Sequence, residues 1–558
     1  MKTSQFKPTG SVCPGSLKFA ITLALFGATQ AHAFEFDTGI PDLSVRLDNT
    51  LKYSVGWRLE DRKAELSTLA PAAPNQNDGN NNFDKGSLIQ NRLDIFSEFD
   101  AKYQNFGLRL SGAAWYDNVY QSRNDNDTTT ANRPVGEPAN EFSSETARVM
   151  GRDAELLDAF IYGQFSPNDR PVTVRAGKHT VLFGESLFFG NNAIAGGQGP
   201  ADSVKARSVP GSTTKEILLP TGKVSVQASL TEDVSVSAYV GYEWKKNRLP
   251  PVGSYLGTSD SVGPGAERVY AGPRGSFTVI DENGAKDSGQ GGISFRYYSE
   301  ELDTDFGVHA IRYHATAPSG IYTRWSGLPG QSTPLTFQEN YHEGVKAYGI
   351  SANRSFGGVN IGTEFSIRDN TPLASTGLTI FQTPGGVVVN GDYDNNHNPG
   401  YAVGRSAHAN VNMLTSLRPN WLADETSLAG EIAWNRRLSF TSGKEFANPL
   451  ADRDAASMRV VLTPRYRQVL DGLDLAVPMG VSYTHGNSSA VGPTFGTDNG
   501  GDFSLGLEGT YLNTWTMTMQ YVHFYGDPGS PQNSDGRQQY KQPLADRDFL
   551  TLSLRTTF

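Results

Sequence analysis

The side chains that could carry out catalysis are few, and no familiar catalytic pattern joins them. The sequence contains no Gly-x-Ser-x-Gly, His-Glu-x-x-His or Gly-x-x-x-x-Gly-Lys motif, which would place a nucleophile, a zinc ion or a phosphate group. The histidines His179, His309, His314 and His485 lie in strand-like segments, where an ordinary polar position explains them. We therefore predict no catalytic residue, no cofactor and no metal site, although a Ser-His-acid group assembled from distant residues stays open.

Charged side chains follow a more regular pattern, at every second position of otherwise apolar segments. In the first such segment Arg46, Lys52 and Arg58 share one face, while residues such as Val45 and Leu51 occupy the other. Grouped on one side of a sheet, such charges would attract or repel solutes rather than transform them. The chemistry that they predict is electrostatic selection.

Alternation with a period of two predicts β-strands, because successive side chains of a strand point to opposite faces of the sheet. The first segment alternates from Leu43 to Leu59, with only Asn49 breaking the apolar series. A single segment of this kind also occurs in soluble sheets, but here the pattern recurs to the end of the chain. The last segment places the following residues on one face: Leu550, Leu552, Leu554, Thr556 and Phe558.

Tight turns join several of these segments into hairpins. Thr231-Glu232-Asp233 separates two alternating segments, and Gly357-Gly358 separates two others. Consecutive glycines suit the positive φ angles of tight hairpin turns. The sequence therefore predicts an antiparallel sheet.

Composition narrows the class of protein further. Only 37% of the residues are hydrophobic and the mean hydropathy is -0.43, which excludes a helical membrane protein, while 60 glycines suit a sheet with many turns. The formal net charge of -10 argues against nucleic-acid binding. We interpret the Asn- and Asp-rich stretches at 75–82, 124–130 and 392–398 as solvated loops, since calcium binding would need a fixed ligand spacing that they lack.

The N-terminal region has the pattern of a secretory signal peptide. An apolar run at 19–27 follows three lysines and precedes the small-x-small site Ala31-His32-Ala33, which predicts cleavage between Ala33 and Phe34. The run is too short for a transmembrane helix, which needs about 20 residues. The only cysteine, Cys13, lies within this peptide. We expect two parts, a signal peptide at 1–33 and a single domain at 34–558.

Closure of the sheet follows from the same pattern. Backbone groups in lipid must be hydrogen-bonded within the protein, and a sheet achieves this when it closes and has no edge. We therefore predict an all-β fold, a single closed antiparallel transmembrane β-barrel with long extracellular loops and short periplasmic turns. The predicted number of strands is eighteen, with sixteen as the alternative, at residues 43–59, 89–103, 106–117, 154–165, 171–183, 223–230, 234–245, 289–298, 305–315, 345–356, 359–369, 407–417, 424–437, 456–467, 473–485, 502–512, 514–525 and 547–558.

A family resemblance is carried by ordered motifs along the chain. They are Leu156-Leu157-Asp158-Ala159-Phe160, Arg175, Gly177, Gly184-Glu185-Ser186, Asp202, Lys205, Pro210-Gly211, Lys215-Glu216, Pro220, Glu364-x-Ser366-x-Arg368 with Pro372, and Leu475-Ala476-Val477-Pro478. On these residues the sequence resembles the DUF1302 family, proteobacterial outer-membrane β-barrel proteins of unknown function. One departure is Phe183, where the family has Trp.

The resemblance implies a location in the outer membrane of a Gram-negative bacterium, with outer-membrane lipids around the barrel. It also implies hydrophobic compounds as cargo and an envelope partner, either a lipoprotein or an exporter of the resistance-nodulation-division (RND) class. The final strand, which ends at Phe558, resembles the C-terminal signal that the barrel-assembly machinery recognises.

The bore of so large a barrel holds water, so selectivity needs an inserted loop or a ring of charged side chains. We expect the long connection at about 184–221 to fold into the lumen. Pairing across neighbouring strands also explains each charge taken singly. The candidates that line the lumen or its constriction are Arg46, Lys52, Arg58, Arg109, Arg175, Lys178, Glu185, Lys205, Lys215, Glu216, Glu364, Arg368, Glu431 and Arg555.

These observations favour a passive, porin-like channel for small molecules, including hydrophobic ones, whose selectivity comes from the lumen charges and the inserted loop. Two alternatives stay open. The protein could be an envelope scaffold that docks a lipoprotein or an RND exporter, or a hydrolase with its site at the rim of the barrel.

Overall fold

The computed structural model describes residues 34–68, 74–128, 131–383, 388–389, 393–395, 397–421 and 423–558. The signal peptide expected at 1–33 lies outside these residues, as do parts of the Asn- and Asp-rich stretches at 124–130 and 392–398. The cleavage expected between Ala33 and Phe34 therefore stays a prediction.

Eighteen antiparallel strands form one closed barrel, which confirms the predicted fold and strand number. Each strand pairs with its neighbours in the chain, and the last strand pairs with the first from Thr50 opposite Thr557 to Arg58 opposite Phe549. In chain order the strands are β1 (Leu43–Arg58), β2 (Leu88–Tyr103), β3 (Phe106–Asp117), β4 (Arg152–Phe165), β5 (Val172–His179), β6 (Thr221–Ser229), β7 (Val234–Gly241), β8 (Gln290–Ser299), β9 (Thr304–Tyr313), β10 (Val345–Phe356), β11 (Val359–Pro372), β12 (Val403–Leu417), β13 (Glu425–Ser442), β14 (Asp454–Leu470), β15 (Leu473–Ala476 and Met479–His485), β16 (Gly501–Tyr511), β17 (Trp515–Tyr525) and β18 (Phe549–Thr557).

Strand β15 consists of two segments because a proline interrupts it. Pro478 has no N–H group to donate to the neighbouring strand, so the ladder breaks between Ala476 and Met479. The carbonyl oxygen of Pro478 still accepts a hydrogen bond of 2.7 Å from the backbone N–H of Gly506 on β16. The strand predicted at 473–485 is therefore one strand of the barrel with a local gap.

Strand β5 ends earlier than predicted, at His179 rather than residue 183. The backbone N–H of Phe183 donates to Oε1 of Gln198 at 2.8 Å instead of to a neighbouring strand. The long connection therefore begins at residue 180 and ends before Thr221, where β6 starts. We call residues 180–220 the crossing segment.

Connections alternate in length around the barrel, as predicted. Turns of two to seven residues follow the even-numbered strands, and long loops follow the odd-numbered ones. Gly357 and Gly358 form the turn between β10 and β11, with φ angles of +59° and +84° that favour glycine.

Short helices and strands fill the long loops. The α-helices are α1 (Asp78–Asn81), α2 (Ser144–Thr146), α3 (Ser203–Ser208) and α4 (Thr214–Ile217), and a π-helix spans Ala147–Gly151. The 3₁₀-helices are Ala64–Leu66, Val119–Gln121, Pro167–Asp169, Ile194–Gly197, Gly272–Arg274, Lys444–Phe446 and Gly492–Phe495. A second sheet contains Arg268–Tyr270, Ser276–Val279, Gly320–Ser326, Thr333–Asn340, Leu378–Gln382 and Val388–Val389, and Phe34–Phe36 pairs with β1. No helix in the described part of the chain is long and apolar enough to span a bilayer.

The two faces of the barrel differ in polarity. Val308, Ile350 and Ile432 lie on its outside and are 58%, 58% and 60% exposed, whereas Asp94 and Glu431 face inward and are buried. A soluble sheet would bury its apolar face and expose its polar one. The reversed arrangement fits a barrel whose outer surface contacts lipid.

The loops pack against one another at the long-loop end. Asp260, in the connection between β7 and β8, accepts hydrogen bonds from the backbone N–H groups of Asn77 (2.6 Å) and Asp78 (3.1 Å) in the connection after β1. Burial raises the pKa of the Asp260 carboxyl to about 6, although the two N–H groups oppose this shift. Burial and the nearby Asp260 carboxylate also raise the pKa of Asp78 well above its ordinary value.

These raised pKa values predict that the contact between the two loops weakens as the pH rises. Asp260 is protonated in the folded loops at pH values where a free Asp, with a pKa of about 3.9, has lost its proton. The contribution of Asp260 to the stability of this loop contact is therefore greatest below pH 4 and declines towards pH 6. Hydrogen exchange at the Asn77 and Asp78 amides, corrected for the intrinsic effect of pH, should show falling protection over this range. Asp260→Asn should flatten the profile, and protection that increases with pH in the wild type would contradict the assignment.

Candidate functional site

The crossing segment is fastened to the inner face of the barrel by side chains from β11, β12 and β13. Glu431 on β13 accepts hydrogen bonds from Ser186 Oγ (2.8 Å) and from the backbone N–H groups of Leu187 (3.0 Å), Phe188 and Phe189 (3.1 Å). Nδ2 of Asn410 on β12 adds a fifth donor at 2.7 Å. This one carboxylate therefore accepts hydrogen bonds from three consecutive backbone N–H groups of the segment.

Strand β11 supplies a second carboxylate. Glu364 accepts hydrogen bonds from the backbone N–H groups of Ile194 (2.6 Å) and Glu185 (3.1 Å). Gly184 has a φ of +94°, and a side chain there would overlap the Glu364 carboxylate. Both facts explain the glycine of the Gly184-Glu185-Ser186 motif.

A guanidinium group complements this carboxylate four residues along the same strand. Nη2 of Arg368 donates to the carbonyl oxygens of Asn191 (2.9 Å), Asn192 (2.9 Å) and Ala193 (2.8 Å). The side chain of Asn192 also bonds to Nδ1 of His408 at 3.1 Å. Strand β11 therefore binds donors of the segment through Glu364 and acceptors through Arg368.

Strand β2 holds the other end of the crossing segment. Nζ of Lys205 on α3 lies 2.9 Å from Oδ1 of Asp94 and 3.6 Å from Oε1 of Glu216. Nζ of Lys215 lies 2.8 Å from Oε1 of Glu98, which follows Asp94 by four residues on the same face of β2. Lys205 and Asp94 are buried, and Asp94 also pairs with Arg92 of its own strand at 2.8 Å, so a buried network of charges joins the crossing segment to β2.

Apolar contacts accompany the polar anchors. Phe183 and Ile194 of the segment pack against the inward-facing side chains of Tyr239, Ile311 and Tyr313 on β7 and β9, in a cluster that also includes Val345 and Ala347. On the other side Leu219 packs with the following inward-facing residues: Phe96, Ala113, Trp115 and Leu157. The segment is thus held by packing as well as by charge.

The position of these anchors places the segment inside the barrel. Strand β2 and strands β11 to β13 lie about half-way round the ring from each other. Inward-facing side chains of both regions bond to the same stretch of chain, and only a path through the interior connects them. Residues 180–220 therefore lie inside the barrel, bonded to its inner face on two sides.

Comparison of the sequence with models of protein families shows the family to which the chain belongs. The family described as a protein of unknown function, DUF1302, matches residues 15–558. The chain belongs to the DUF1302 family. No curated protein matches the sequence. Several residues that carried the resemblance to DUF1302, among them Glu185, Lys205, Glu364 and Arg368, are those that fasten the crossing segment.

Solved structures with a similar fold come from several bacteria. OmpT, an outer membrane protein of Vibrio cholerae, matches over 95% of this chain and 100% of its own, with 9% identity and a TM-score of 0.37. OccAB2 of Acinetobacter baumannii matches over 92% and 98%, with 8% identity and a TM-score of 0.42. OccK2 (OpdF) of Pseudomonas aeruginosa, solved in complex with glucuronate, matches over 92% and 98%, with 10% identity and a TM-score of 0.40. The closed-barrel fold of this DUF1302 chain is shown by its own strand pairing.

The remaining candidate charges of the DUF1302 barrel contact other groups than the crossing segment. Nζ of Lys52 is buried near Asp94 and has no hydrogen-bond partner among the described residues. The other candidates are placed as follows: Arg46 pairs with Asp48, Arg58 with Asp546 and loop carbonyl groups, Arg109 with Glu98, Asp100 and Asp158, and Lys178 with Glu243, while Arg175 lies over the ring of Phe160 and Arg555 lies opposite Lys52 and Thr516.

Several functional contacts of this DUF1302 chain were missed in the sequence. Asp94 and Glu98 share the inner face of β2 with Arg92, and alternation along 89–103 could have identified them. Arg296 on β8, which pairs with Glu185 at 2.8 Å, could have been found in the same way. The pairing between a particular loop residue and a particular strand residue left no signal in the sequence.

The histidines considered for catalysis lie in hydrogen-bonded networks. His179 contacts Ser225, His309 lies between two serine hydroxyls, His314 contacts the Ser288 carbonyl, and His485 contacts Asn499. Among the contacts that the described residues make, no histidine is bonded to both a serine hydroxyl and a carboxylate. Ser406, His408 and Asn192 form a linked chain, but Ser406 and His408 are fully buried beside the crossing segment. These contacts form part of the hydrogen-bonded network around the crossing segment.

Proposed function

We propose that the protein is an outer-membrane channel of a Gram-negative bacterium through which small molecules, including hydrophobic ones, diffuse. The observation that carries this proposal is the fastening of one long segment on both sides of the barrel interior. A barrel of eighteen strands encloses an aqueous bore. A segment fixed across such a bore reduces its cross-section, and the reduced opening sets which solutes pass.

Exposed apolar side chains on the crossing segment support a hydrophobic cargo. Leu182, Leu187 and Phe188 are 49%, 47% and 37% exposed, although the segment lies within the barrel. Apolar surface left in contact with water is unfavourable and often marks a binding surface. A solute with an apolar part would cover these side chains during its passage.

The charged candidates then have two roles in this proposal. Glu185, Lys205, Lys215, Glu216, Glu364, Arg368 and Glu431 fix the position of the crossing segment and so the size of the opening. The charges not bonded to the segment, such as Arg46 and Arg555, contribute to the electric field of the water-filled space.

Reconstitution of the purified protein tests this function. We expect discrete conductance steps in a planar bilayer, and swelling of liposomes in small solutes that slows as the solute becomes larger. Liposomes reconstituted with protein that was unfolded by heat serve as the control. Folded protein that gives neither conductance nor solute uptake would contradict the proposal.

A further inference from the structure

Two cations lie directly opposite each other on the outer face of the barrel, at the end that carries the long loops. Arg312 on β9 is the cross-strand partner of Lys346 on β10, and both side chains are exposed. They share the outer face with Val308 and Ile350, which lie four residues away on the same two strands. We call Arg312 and Lys346 the cation pair. Like charges at directly opposed positions destabilise a sheet, so an anion beside the cation pair would stabilise it.

The carboxylates that neighbour the cation pair in the sheet and in the chain are bonded to other cations. Asp369 on β11 is the cross-strand partner of Lys346, but its Oδ1 accepts a hydrogen bond of 2.7 Å from Nε of Arg405. Oε2 of Glu343, three residues before Lys346, lies 2.8 Å from Nζ of Lys286. Within the described part of the chain, neither side chain of the cation pair forms an ion pair or a hydrogen bond. The protein itself therefore supplies no bonded counter-ion to the cation pair.

The outer face changes in character from the cation pair towards the middle of the barrel. Tyr348 on β10, opposite Ala310, comes next on this face and is exposed. Val308 and Ile350 form the following pair and are exposed as well. Tyrosine is enriched where headgroups meet hydrocarbon, and aliphatic side chains contact the hydrocarbon itself. The three successive pairs thus match the headgroup, the interface and the acyl chains of a lipid, in that order.

We propose that the cation pair binds the phosphate monoester of a glycolipid in the outer leaflet, on the side of the membrane where the long loops lie. A phosphate monoester carries a charge of about −1.5 to −2 at pH 7, which matches two cations without a counter-ion. Arginine donates two parallel N–H···O bonds to phosphate oxygens, and lysine adds a point charge. A phosphodiester carries less negative charge, so the headgroup of phosphatidylglycerol would compensate the pair only in part. The inference goes beyond the proposed channel and shares with it only the location in the outer membrane.

Native mass spectrometry of the detergent-solubilised protein, titrated with diphosphoryl lipid A, tests this site without requiring a conducting pore. The double variant Arg312→Gln with Lys346→Gln should bind lipid A about 30-fold more weakly than the wild type, because each cation near a charged lipid surface contributes about fivefold.

The double variant Arg354→Gln with Arg418→Gln is the matched control, since it removes the same total charge at the other end of the barrel. Arg354 is an exposed residue on the outer face of β10 near its short turn, and Arg418 is exposed in the turn after β12. The affinity of this control for diphosphoryl lipid A should equal that of the wild type.

Three further comparisons test the chemistry of the headgroup. Lipid A without its phosphates, and phosphatidylglycerol, should each bind the wild type more weakly than diphosphoryl lipid A does. The exchange variant Arg312→Lys with Lys346→Arg should keep most of the affinity, because both charges remain.

Two results would overturn the site. The first is a Gln double variant of the cation pair that binds diphosphoryl lipid A as well as the control does, and the second is equal binding of phosphatidylglycerol by the wild type. Lipid A binding that depends on the cation pair, in a protein without conductance, would instead refute the channel and support the lipid site.

Discussion

Replacing Glu431 by alanine should release the crossing segment from β13 and increase the conductance of the barrel. The carboxylate accepts hydrogen bonds from three consecutive backbone N–H groups, those of Leu187, Phe188 and Phe189. A buried N–H group that loses its acceptor costs about 1–3 kcal/mol. The loss of three such hydrogen bonds should therefore cost more than the loss of one. Residues 186–189 should therefore move away from the wall.

The double variant Glu431→Ala with Glu364→Ala should have the larger effect, because it removes both carboxylates that hold the segment. We expect a higher single-channel conductance, more frequent current fluctuations and faster uptake of large solutes than in the wild type. Glu425→Ala is the matched control, since Glu425 lies on the same strand but pairs with Arg467 at 2.7 Å near a turn. Unchanged conductance in a double variant with a native circular-dichroism spectrum would show that the segment does not limit the opening.

The barrel itself could be predicted from the sequence because the alternation of residue types in each strand depends only on the surroundings of that strand. On β1 the alternation between Leu43 and Leu59 is set by lipid on one side and polar groups on the other, and both act on every residue. Turn chemistry such as Gly357-Gly358 is equally local. The strand number followed from counting such segments, and their ends differed by only a few residues.

The residues of the inner face were harder to predict because some of them contact the crossing segment instead of water. Tyr239, Ile311 and Tyr313 face inward and are apolar, since they pack against Phe183 and Ile194 rather than against water. Alternation alone marks an inner face as polar, so these positions could not be assigned. Their role depends on a loop more than a hundred residues away from Ile311 in the chain.

The charged residues also divide into those whose position could be predicted from the sequence and those whose contacts could not. Glu364, Arg368 and Glu431 could be predicted as inward-facing because they occupy the polar positions of alternating strands. The pairing of Lys205 with Asp94 could not, because it joins the crossing segment to a strand that is distant in the chain. That contact is a property of two elements brought together by the closed sheet.

A charge placed on the outer face should strongly destabilise the barrel. Val308 lies in the middle of β9 and is 58% exposed, with Phe295 and Ile350 as its neighbours on the adjacent strands. If lipid covers this surface, Val308→Arg places a guanidinium group near the centre of the bilayer. Such a substitution costs about 2–4 kcal/mol at the midplane of a membrane barrel.

Val135 provides the matched control for this substitution. It lies in the loop between β3 and β4 and is 91% exposed. Water should surround it, and a surface substitution of this kind changes stability by less than about 0.5 kcal/mol. The two variants thus carry the same substitution, valine to arginine, at two exposed positions, one on the barrel wall and one in a loop.

The free energy of unfolding from lipid vesicles, compared between Val308→Arg and Val135→Arg, tests most directly whether the apolar face of this closed sheet is surrounded by membrane. A loss of about 2–4 kcal/mol confined to Val308→Arg is the predicted result. Equal and small losses in both variants would mean that water contacts both positions, and the assignment of the outer face to lipid would be wrong.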